Sequence, residues 1–245
     1  SDFTRDSIAA VSPIPVRKIT YPFYLNEAEA VSDRKRFGLP EDAFVFLFNF
    51  DFLSTTHRKN PEGVIDAFRH AFRKDDNAIL VMKSINWEYE REARAALDRS
   101  AEDARVVFLD PHLPGAEVNA LFASVDSYAS LHRSEGLGLG MAQAMYLGKP
   151  VIGTGYSGNL EFMNAENSLL VNFVMTELEE DSGPYEQGTH WAAPDAEHAA
   201  SLMRWVYENR AASAELGTRA AQDIRRRLDP QTTAREIRQR VQELS

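Results

Sequence analysis

The chain of 245 residues carries 27 basic and 37 acidic residues, which gives a net charge of −10. This excess of negative charge disfavours broad contact with phosphates or anionic lipid, so we expect neither nucleic acid nor a lipid surface as a partner. With 44% hydrophobic residues, the chain can bury a sizeable core, which excludes a disordered protein.

The residue content also narrows the class of protein. Cysteine is absent, which excludes a disulfide scaffold and a thiolate metal site. No stretch approaches the roughly 20 apolar residues of a membrane span, and the start lacks the pattern of a signal peptide. These features favour a cytoplasmic protein. The chain begins with Ser1 rather than methionine, which suggests a piece of a longer protein.

Residues 1–42 are interpreted as a linker with one short helix. Pro13, Pro15 and Pro22 prevent a continuous helix in the first 25 residues, which predicts an extended segment. The run "NEAEAVSDRKRFGLP" that follows predicts a short helix ending at Gly38 and Pro40.

Strand-like and helix-like patterns alternate from Ala43 onward. The strand-like runs are "AFVFLFNF", "AILVMKS", "RVVFLD", "SYASL" and "PVIGT", with helical patterns between them. Continuous β-branched and aromatic strands in this arrangement indicate a parallel sheet covered on both faces. The predicted fold is therefore α/β, a doubly wound parallel sheet in residues 43–245. We expect the aromatic residues of the first run to form its core.

Two later regions differ from this alternation. The run "VMTELEEDSGPYEQGTHWAAPD" is polar and without periodicity, so we expect a long surface loop there. Residues 196–245 have a helical pattern with breaks near Ala211 and Pro230, which predicts extra carboxyl-terminal helices.

The stretch "SEGLGLGMAQAMYLGKPVIGTGYSGNLEF", residues 134–162, has the composition of a ligand site. Glu135 precedes Gly136, Gly138 and Gly140, and an apolar helix over Leu139 to Leu147 follows. Glycines let backbone N–H groups approach a ligand, and a helix N-terminus favours phosphate. A carboxylate can accept hydrogen bonds from sugar hydroxyls. Together these groups suit a nucleotide sugar.

Other glycine-loop chemistries are less compatible with this stretch. Met141 occupies the position at which a dinucleotide-binding fingerprint needs its third glycine, and no Gly-Lys-Ser/Thr follows for a Walker motif. Structural roles remain open as well. Glu135 could cap the following helix, and we expect Glu161 to act as the cap of a short helix near Asn159.

The combined run is similar to one in the retaining glycosyltransferases of the GT-B fold, group 1 or family 4-like, and in particular in their carboxyl-terminal, donor-binding domain. These enzymes carry Glu-Gly-Phe/Leu-Gly-Leu, a second glutamate eight positions after the first, then Glu-Ala-Met and Gly-Lys/Arg-Pro-Val-Ile. The run "EGLGLGMAQAMYLGKPVIGT" matches nearly all of this pattern. The resemblance extends from about Ala43 to Val171 and implies a Rossmann-like donor domain whose amino-terminal acceptor domain is absent from this chain.

The resemblance implies roles for individual residues of the glycine stretch. Glu135 would contact the donor sugar, and Gly136, Leu137 and Gly138 would offer backbone N–H groups to the sugar and the diphosphate. Gln143 stands where the family has the glutamate that holds the ribose hydroxyls. An amide can still accept and donate one hydrogen bond each, but it could instead satisfy neighbouring backbone groups.

A second match lies in "FDFLSTTHRKNPEGVIDAF", which resembles the loop after the first strand of the donor domain. Lys59 corresponds to the family lysine on the diphosphate, and Arg58 is the nearby candidate for the family arginine, whose usual place is taken by residues 51–54. The alternative for both residues is a solvated turn. Leu113 would line the base pocket by family position, and a role in the core is the alternative.

The implied reaction is transfer of a sugar from a nucleotide-diphosphate sugar to a glycan, lipid or other acceptor, with retention of configuration. Lys59, Arg58 and backbone amides could supply the positive charge at the leaving diphosphate, so we expect no metal ion and no cofactor. Two alternatives stay open: a non-catalytic nucleotide-sugar-binding or interaction module, and a GT-B sugar-nucleotide epimerase or phosphorylase. A dinucleotide oxidoreductase ranks below these because of Met141.

Overall fold

The structure is a computed structural model that describes residues 1–102 and 105–244. Its main sheet, within these residues, contains six strands. They are β1 (Phe44–Asp51), β2 (Ala78–Ile85), β3 (Val106–Leu109), β4 (Ser127–Ser130), β5 (Val151–Thr154) and β6 (Leu169–Val171). All neighbouring strands of this sheet run parallel, in the order β3-β2-β1-β4-β5-β6.

This strand order reverses direction between β1 and β4. The chain first builds the sheet outward from β1 to β3 and then returns to the other side of β1. In doubly wound folds such a reversal leaves a crevice at the carboxyl ends of the two central strands, where ligands bind. The predicted α/β fold is confirmed.

Helices cover both faces of the sheet. They are α1 (Asp2–Ala9), α2 (Thr56–Lys59), α3 (Pro61–Ala71), α4 (Arg91–Ser100), α5 (Gly115–Ser124), α6 (Leu139–Tyr146), α7 (Ala196–Glu208), α8 (Arg210–Arg227) and α9 (Pro230–Leu244). The α3 helix packs with α4 and α7, whereas α6 packs with α5 and α8. Helices α3 and α6 lie on opposite faces, as the side chains of β1 show.

The alternation of side chains along β1 separates the two faces. Phe46 packs against Phe68 of α3, with ring centroids 6.1 Å apart. Asn49, which points to the other side, lies under α6, where a Cβ built on Gly140 would be 2.5 Å from its Oδ1 atom. Phe44, Phe46 and Phe48 are at most 2% exposed. The prediction that these aromatic residues form the core is thus confirmed.

Helix α1 occupies part of the segment that the prolines predict to be extended. The prediction is wrong for these residues because all three prolines lie after Ala9, so none of them interrupts α1. The Ser1 hydroxyl accepts the N–H group of Thr4 and caps the helix.

The short helix expected before Gly38 is replaced by two 3₁₀ turns, Glu27–Glu29 and Lys35–Phe37. Tertiary contacts decide this difference. The Arg34 guanidinium donates to the carbonyls of Ser124, Pro40, Glu41 and Ala43 and pairs with Asp126. Long-range hydrogen bonds of this kind hold the segment in a shape that a regular helix does not have.

The expected long surface loop is in part an antiparallel hairpin, so that prediction is corrected. Strands β7 (Phe173–Glu177) and β8 (His190–Pro194) pair with each other outside the main sheet. Trp191 is 5% exposed and packs against the ring of His57 at 5.5 Å. Burial of Trp191 and Ala192 thus stabilises β8.

The carboxyl-terminal region is helical, as predicted, and the breaks fall close to the expected positions. One lies between Glu208 and Arg210, and the other is followed by Pro230 at the first turn of α9. Helix α9 returns to the beginning of the chain, where the Glu236 carboxylate accepts the N–H and hydroxyl groups of Thr20 at 2.7 and 2.9 Å. Among the described residues, no helix is long and apolar enough to cross a membrane.

Candidate functional site

A cleft of about 980 Å³ opens at the carboxyl ends of the central strands. Asp51, Ile85 and Ser130, which end β1, β2 and β4, all line it. The glycine stretch from Glu135 to Met141 forms part of its wall, together with Lys59 and Leu113. The cleft therefore lies at the reversal of strand order, where the topology favours a ligand.

A carboxylate and two cations meet between the loop after β1 and the loop after β4. Lys59 Nζ lies 2.5 Å from Glu135 Oε1, and Arg58 Nη1 lies 3.3 Å from the same oxygen. The three side chains are only 12% to 18% exposed. Lys59 and Glu135 line the cleft, so a ligand there would contact an ion pair.

Arg58 has a different environment from Lys59. Its guanidinium donates to the carbonyl oxygens of Ser134 and Ser54 and to the Ser54 hydroxyl, at 2.7 to 2.9 Å. Within the described part of the chain, Arg58 is not among the residues that line the cleft. These contacts tie the two loops together and keep the charge of Arg58 behind the carboxylate of Glu135.

The charge state of Glu135 follows from these neighbours. Burial raises the pKa of the carboxyl group, but the charges of Lys59 and Arg58 and the hydrogen bond from Lys59 outweigh it, so the pKa lies below its usual value. Glu135 is therefore a carboxylate at neutral pH. It can accept hydrogen bonds and cannot donate any.

His132 lies under this group and is completely buried. Its Nε2 atom faces two acceptors, Asn159 Oδ1 at 3.1 Å and the Tyr156 carbonyl at 3.2 Å, while Nδ1 lies 3.2 Å from the Ser130 hydroxyl. Burial lowers the pKa of the imidazole. These contacts favour a neutral ring with its proton on Nε2. A lone histidine in the sequence gives no signal of this arrangement.

The backbone of Glu135 is held by the loop after β5. The Ser157 hydroxyl accepts its N–H group and Gly158 N–H donates to its carbonyl, both at 2.8 Å. Ser157 has φ 76° and ψ −147°, a conformation that side chains disfavour. A Cβ on Gly158 would lie 2.1 Å from the Gly136 carbonyl oxygen. Sequence reasoning missed this contact because it joins residues that are 22 positions apart in the chain.

The glycine stretch leads into the N-terminus of α6. Gly138 caps the helix with φ +90°, and a Cβ there would lie 2.4 Å from the Met141 Cε atom. The N–H groups of Gly136 and Leu137 donate to no protein acceptor within the described residues. Free N–H groups beside a helix N-terminus favour an anion.

The structure also shows the contacts of three further residues for which the sequence predicts a role. Gln143 Nε2 donates to Asn119 Oδ1 of α5 at 2.8 Å, and Gln143 does not line the cleft among the described residues. Leu113 both lines the cleft and packs against the core. Glu161 ends its 3₁₀ turn and accepts the N–H group of Asp2 at 3.0 Å. The prediction that it caps its own helix is therefore corrected: it caps α1.

Within residues 1–102 and 105–244, no three histidine, aspartate or glutamate side chains are grouped closely enough to hold a metal ion. The Asp51 carboxylate, at the edge of the cleft, accepts hydrogen bonds from Leu53 N–H and Asn86 Nδ2.

Residues 32–223 match the family described as "Glycosyl transferases group 1", which covers most of the chain. The chain therefore belongs to this family. No curated protein sequence matches it at a significant level.

Solved glycosyltransferase structures share the fold. Sucrose-phosphate synthase from Thermosynechococcus elongatus superimposes with a TM-score of 0.71 at 17% identity, over 100% of this chain and 57% of its own. The Anabaena protein HepE, in complex with UDP and glucose, gives 0.72 at 18% identity, over 96% of this chain and 59% of its own. The pneumococcal O-GlcNAc transferase GtfA, in complex with UDP and GlcNAc, gives 0.65 at 12%, over 99% and 43%.

These similarities extend over 96% to 100% of this chain but over only 43% to 59% of each neighbour. At such low identity they establish the fold, which is the Rossmann-like α/β fold of the GT-B glycosyltransferases. The predicted GT-B type of fold is thereby confirmed.

Proposed function

We propose that this chain is the donor-binding half of a glycosyltransferase that moves a hexose from a nucleotide-diphosphate sugar to an acceptor. The observation that carries this proposal is the Glu135–Lys59 pair, which lies beside free backbone N–H groups in a cleft at the reversal of strand order. The sugar needs hydrogen-bond acceptors and the diphosphate needs positive charge, and the two side chains supply one each.

The orientation of the donor follows from these two groups. The sugar would lie against Glu135, whose carboxylate accepts from sugar hydroxyls. The diphosphate would lie between Lys59 and the N-terminus of α6, where the N–H groups of Gly136 and Leu137 have no protein acceptor among the described residues. The nucleoside would then extend towards Leu113, which also lines the cleft.

Catalysis would come from stabilising the leaving group. As the bond between the sugar carbon and the diphosphate oxygen breaks, the electron pair stays on the diphosphate, and negative charge grows there. Lys59 and the amides at the start of α6 are already in place near that charge, so little reorganisation is needed. In this proposal no metal ion takes part. Retention of configuration is proposed from the family resemblance.

In this proposal the acceptor and its binding residues belong to a second domain. We propose that a facing amino-terminal domain holds the acceptor, because the chain spans only 57% to 60% of the first structural neighbours. The acceptor is a glycan, a lipid or another hydroxyl-bearing molecule. The cytoplasmic location expected from the sequence remains a prediction.

One observation favours the alternative of a non-catalytic nucleotide-sugar-binding module. Gln143 is engaged by Asn119 and does not face the cleft among the described residues, so the ribose would lose the contact that the family pattern provides. If this is a site that has drifted from catalysis, Gln143→Glu should raise donor affinity by a large factor. Sugar transfer by the chain together with its facing domain would exclude this alternative.

Calorimetric titration with UDP, GDP, dTDP and ADP, each alone and sugar-linked, tests the proposal. UDP comes first because HepE and GtfA were solved with it. We expect one nucleotide to bind, the linked sugar to add affinity, and Glu135→Ala to abolish only that addition. A ligand at about 100 times its Kd should stabilise the fold by roughly 2.7 kcal/mol. No binding by any of them would contradict the proposal.

A further inference from the structure

Lys83 is a buried cation that the sequence does not single out. It lies near the carboxyl end of β2 and is only 5% exposed, yet it lines the cleft. In the sheet it is in register with Asn49 of β1 and Leu109 of β3. Lys83 is therefore part of the cleft floor, between the Lys59 side of the cleft and the loop after β3 that carries Leu113.

The hydrogen-bonding capacity of Lys83 is largely unused by the protein. An ammonium group has three N–H donors. One of these donors binds the carbonyl oxygen of Ser84 at 2.7 Å. Among the described residues, no carboxylate lies within 4.0 Å of the Lys83 nitrogen. Burial lowers the pKa of Lys83, although the charge of Asp110 opposes the shift.

Asp110 is the acidic residue whose charge acts on Lys83, but its oxygens are already bound. The Ser84 hydroxyl donates to Oδ1 at 2.6 Å, and Arg94 pairs with Oδ2 at 2.6 Å. Lys59 is in the opposite situation, since it forms a direct ion pair with Glu135. Lys83 is thus a cleft cation without an ion-pair partner in the part of the chain that the structure describes.

We propose that Lys83 binds a phosphate oxygen of the nucleotide diphosphate and so forms a second anion site in the cleft. This inference rests on the proposed function and adds a residue to it. A buried charge needs a compensating charge, and a phosphate supplies one, whereas a base carbonyl does not. Lys83 lies on the Leu113 side of Lys59, so in the proposed orientation it would contact the phosphate that is attached to the nucleoside.

The test compares the affinity of the full chain for UDP, UMP and uridine, or for the corresponding set of whichever nucleotide binds. In Lys83→Met the chain keeps a side chain of similar length without its charge. We expect UDP to bind about tenfold more weakly or worse, and uridine to bind unchanged. Lys83→Gln keeps one hydrogen-bond donor without charge and should show a smaller loss of UDP affinity.

Lys149 provides a matched control. Lys149 is half-buried and, like Lys83, donates to one backbone carbonyl, that of Ala123 at 2.8 Å, but it lies outside the cleft lining of the described residues. Lys149→Met should leave all three affinities unchanged. Thermal unfolding of each unliganded variant checks that the fold is intact.

The remaining outcomes separate this inference from the proposed function. If Lys83→Met binds UDP as the unchanged chain does, the second anion site is refuted while the donor site stands. If UDP and uridine weaken by the same factor, Lys83 acts on the nucleoside or on the shape of the cleft, and the phosphate contact is again refuted. If the unchanged chain binds no nucleotide at all, the proposed function and this inference fail together.

Discussion

At the residue scale, Glu135 is where the charges of the cleft meet. Its carboxylate contacts Lys59 directly and has Arg58 at 3.3 Å. A donor sugar would therefore approach a carboxylate that is already ionised and positioned by its neighbours. The free-energy cost of burying this carboxylate is offset by its two cationic partners.

Glu135 makes the free energy of unfolding depend on pH in the acidic range. Its pKa is lower in the folded chain than the usual value of 4.5, because its cationic neighbours outweigh the effect of burial. Its contribution to the free energy of unfolding is therefore complete above that value and is lost as the pH falls through the lower, folded pKa. We expect the free energy of unfolding to fall less steeply with acid in Glu135→Gln than in the unchanged chain.

Urea unfolding between about pH 6 and about pH 3 measures this difference. Lys59→Met removes the main partner, so the remaining Glu135 should shift towards its usual pKa and the acid dependence should shrink as well. Identical slopes of stability against pH in all three chains would show that the Glu135–Lys59 pair does not form in solution.

At the element scale, the site depends on the contact between two loops. The loop after β4 provides Glu135 and Gly136, and the loop after β5 provides Ser157 and Gly158. The carbonyl oxygen of Gly136 lies where a side chain on Gly158 would begin. Each loop alone has the composition of an ordinary glycine-containing turn, and the site exists because the parallel strands β4 and β5 are neighbours.

Gly158→Ala should therefore damage both stability and ligand binding. A Cβ at 2.1 Å from the Gly136 carbonyl oxygen forces one backbone away from the other, which costs about 1–3 kcal/mol or more. The displaced loop carries the predicted donor contacts, so nucleotide affinity should fall as well. Thermal unfolding and calorimetry measure the two effects.

Gly115→Ala serves as the control for this substitution. A Cβ on Gly115 meets nothing within 4 Å, and the residue begins helix α5. We expect a change in stability within about 0.5 kcal/mol and unchanged nucleotide affinity. Equal effects of the two substitutions would contradict the close approach of the loops.

The sequence pattern predicts the strands of the main sheet but not the β7–β8 hairpin. The strands β1, β2 and β3 are mainly apolar runs that are typical of a parallel sheet covered on both faces, so their pattern predicts them. The β7–β8 hairpin has no such pattern. It is stabilised where Trp191 packs on His57 and where Ala192 N–H donates to the Arg133 carbonyl at 3.0 Å, and these are contacts between distant segments.

At the scale of the whole molecule, the amino-terminal segment packs against the carboxyl-terminal helix α9. Helix α9 contacts Arg17 and Thr20. Thr20, Tyr21 and Ile237, from the two ends of the chain, line the cleft. Leu25 and Leu39 are buried in the main core. Residues before β1 therefore contribute to the shape of the cleft and to the stability of the sheet domain.

Glu236→Ala should weaken the contact between α9 and the segment around Thr20. The substitution leaves the partly buried N–H and hydroxyl groups of Thr20 without their acceptor, which costs about 1–3 kcal/mol. Amide hydrogen exchange at Thr20 should accelerate. Glu243, on the same helix, pairs with Arg17 at the exposed surface, so Glu243→Ala should change stability by less than about 1 kcal/mol. Unchanged exchange at Thr20 in Glu236→Ala would contradict this contact.

The sequence by itself determined the class of fold, the family and the position of the glycine stretch, because local patterns carry these features: strand runs, helix periodicity and a motif of contiguous residues. It also predicted that Lys59 and Glu135 belong to one site. The tertiary structure alone decided that Arg58 is turned towards loop carbonyls, that Gln143 binds Asn119, and that Lys83 lines the cleft. These outcomes depend on which strands are neighbours and on which hydrogen-bond partners a buried side chain finds, and neither is encoded in the spacing of residues along the chain.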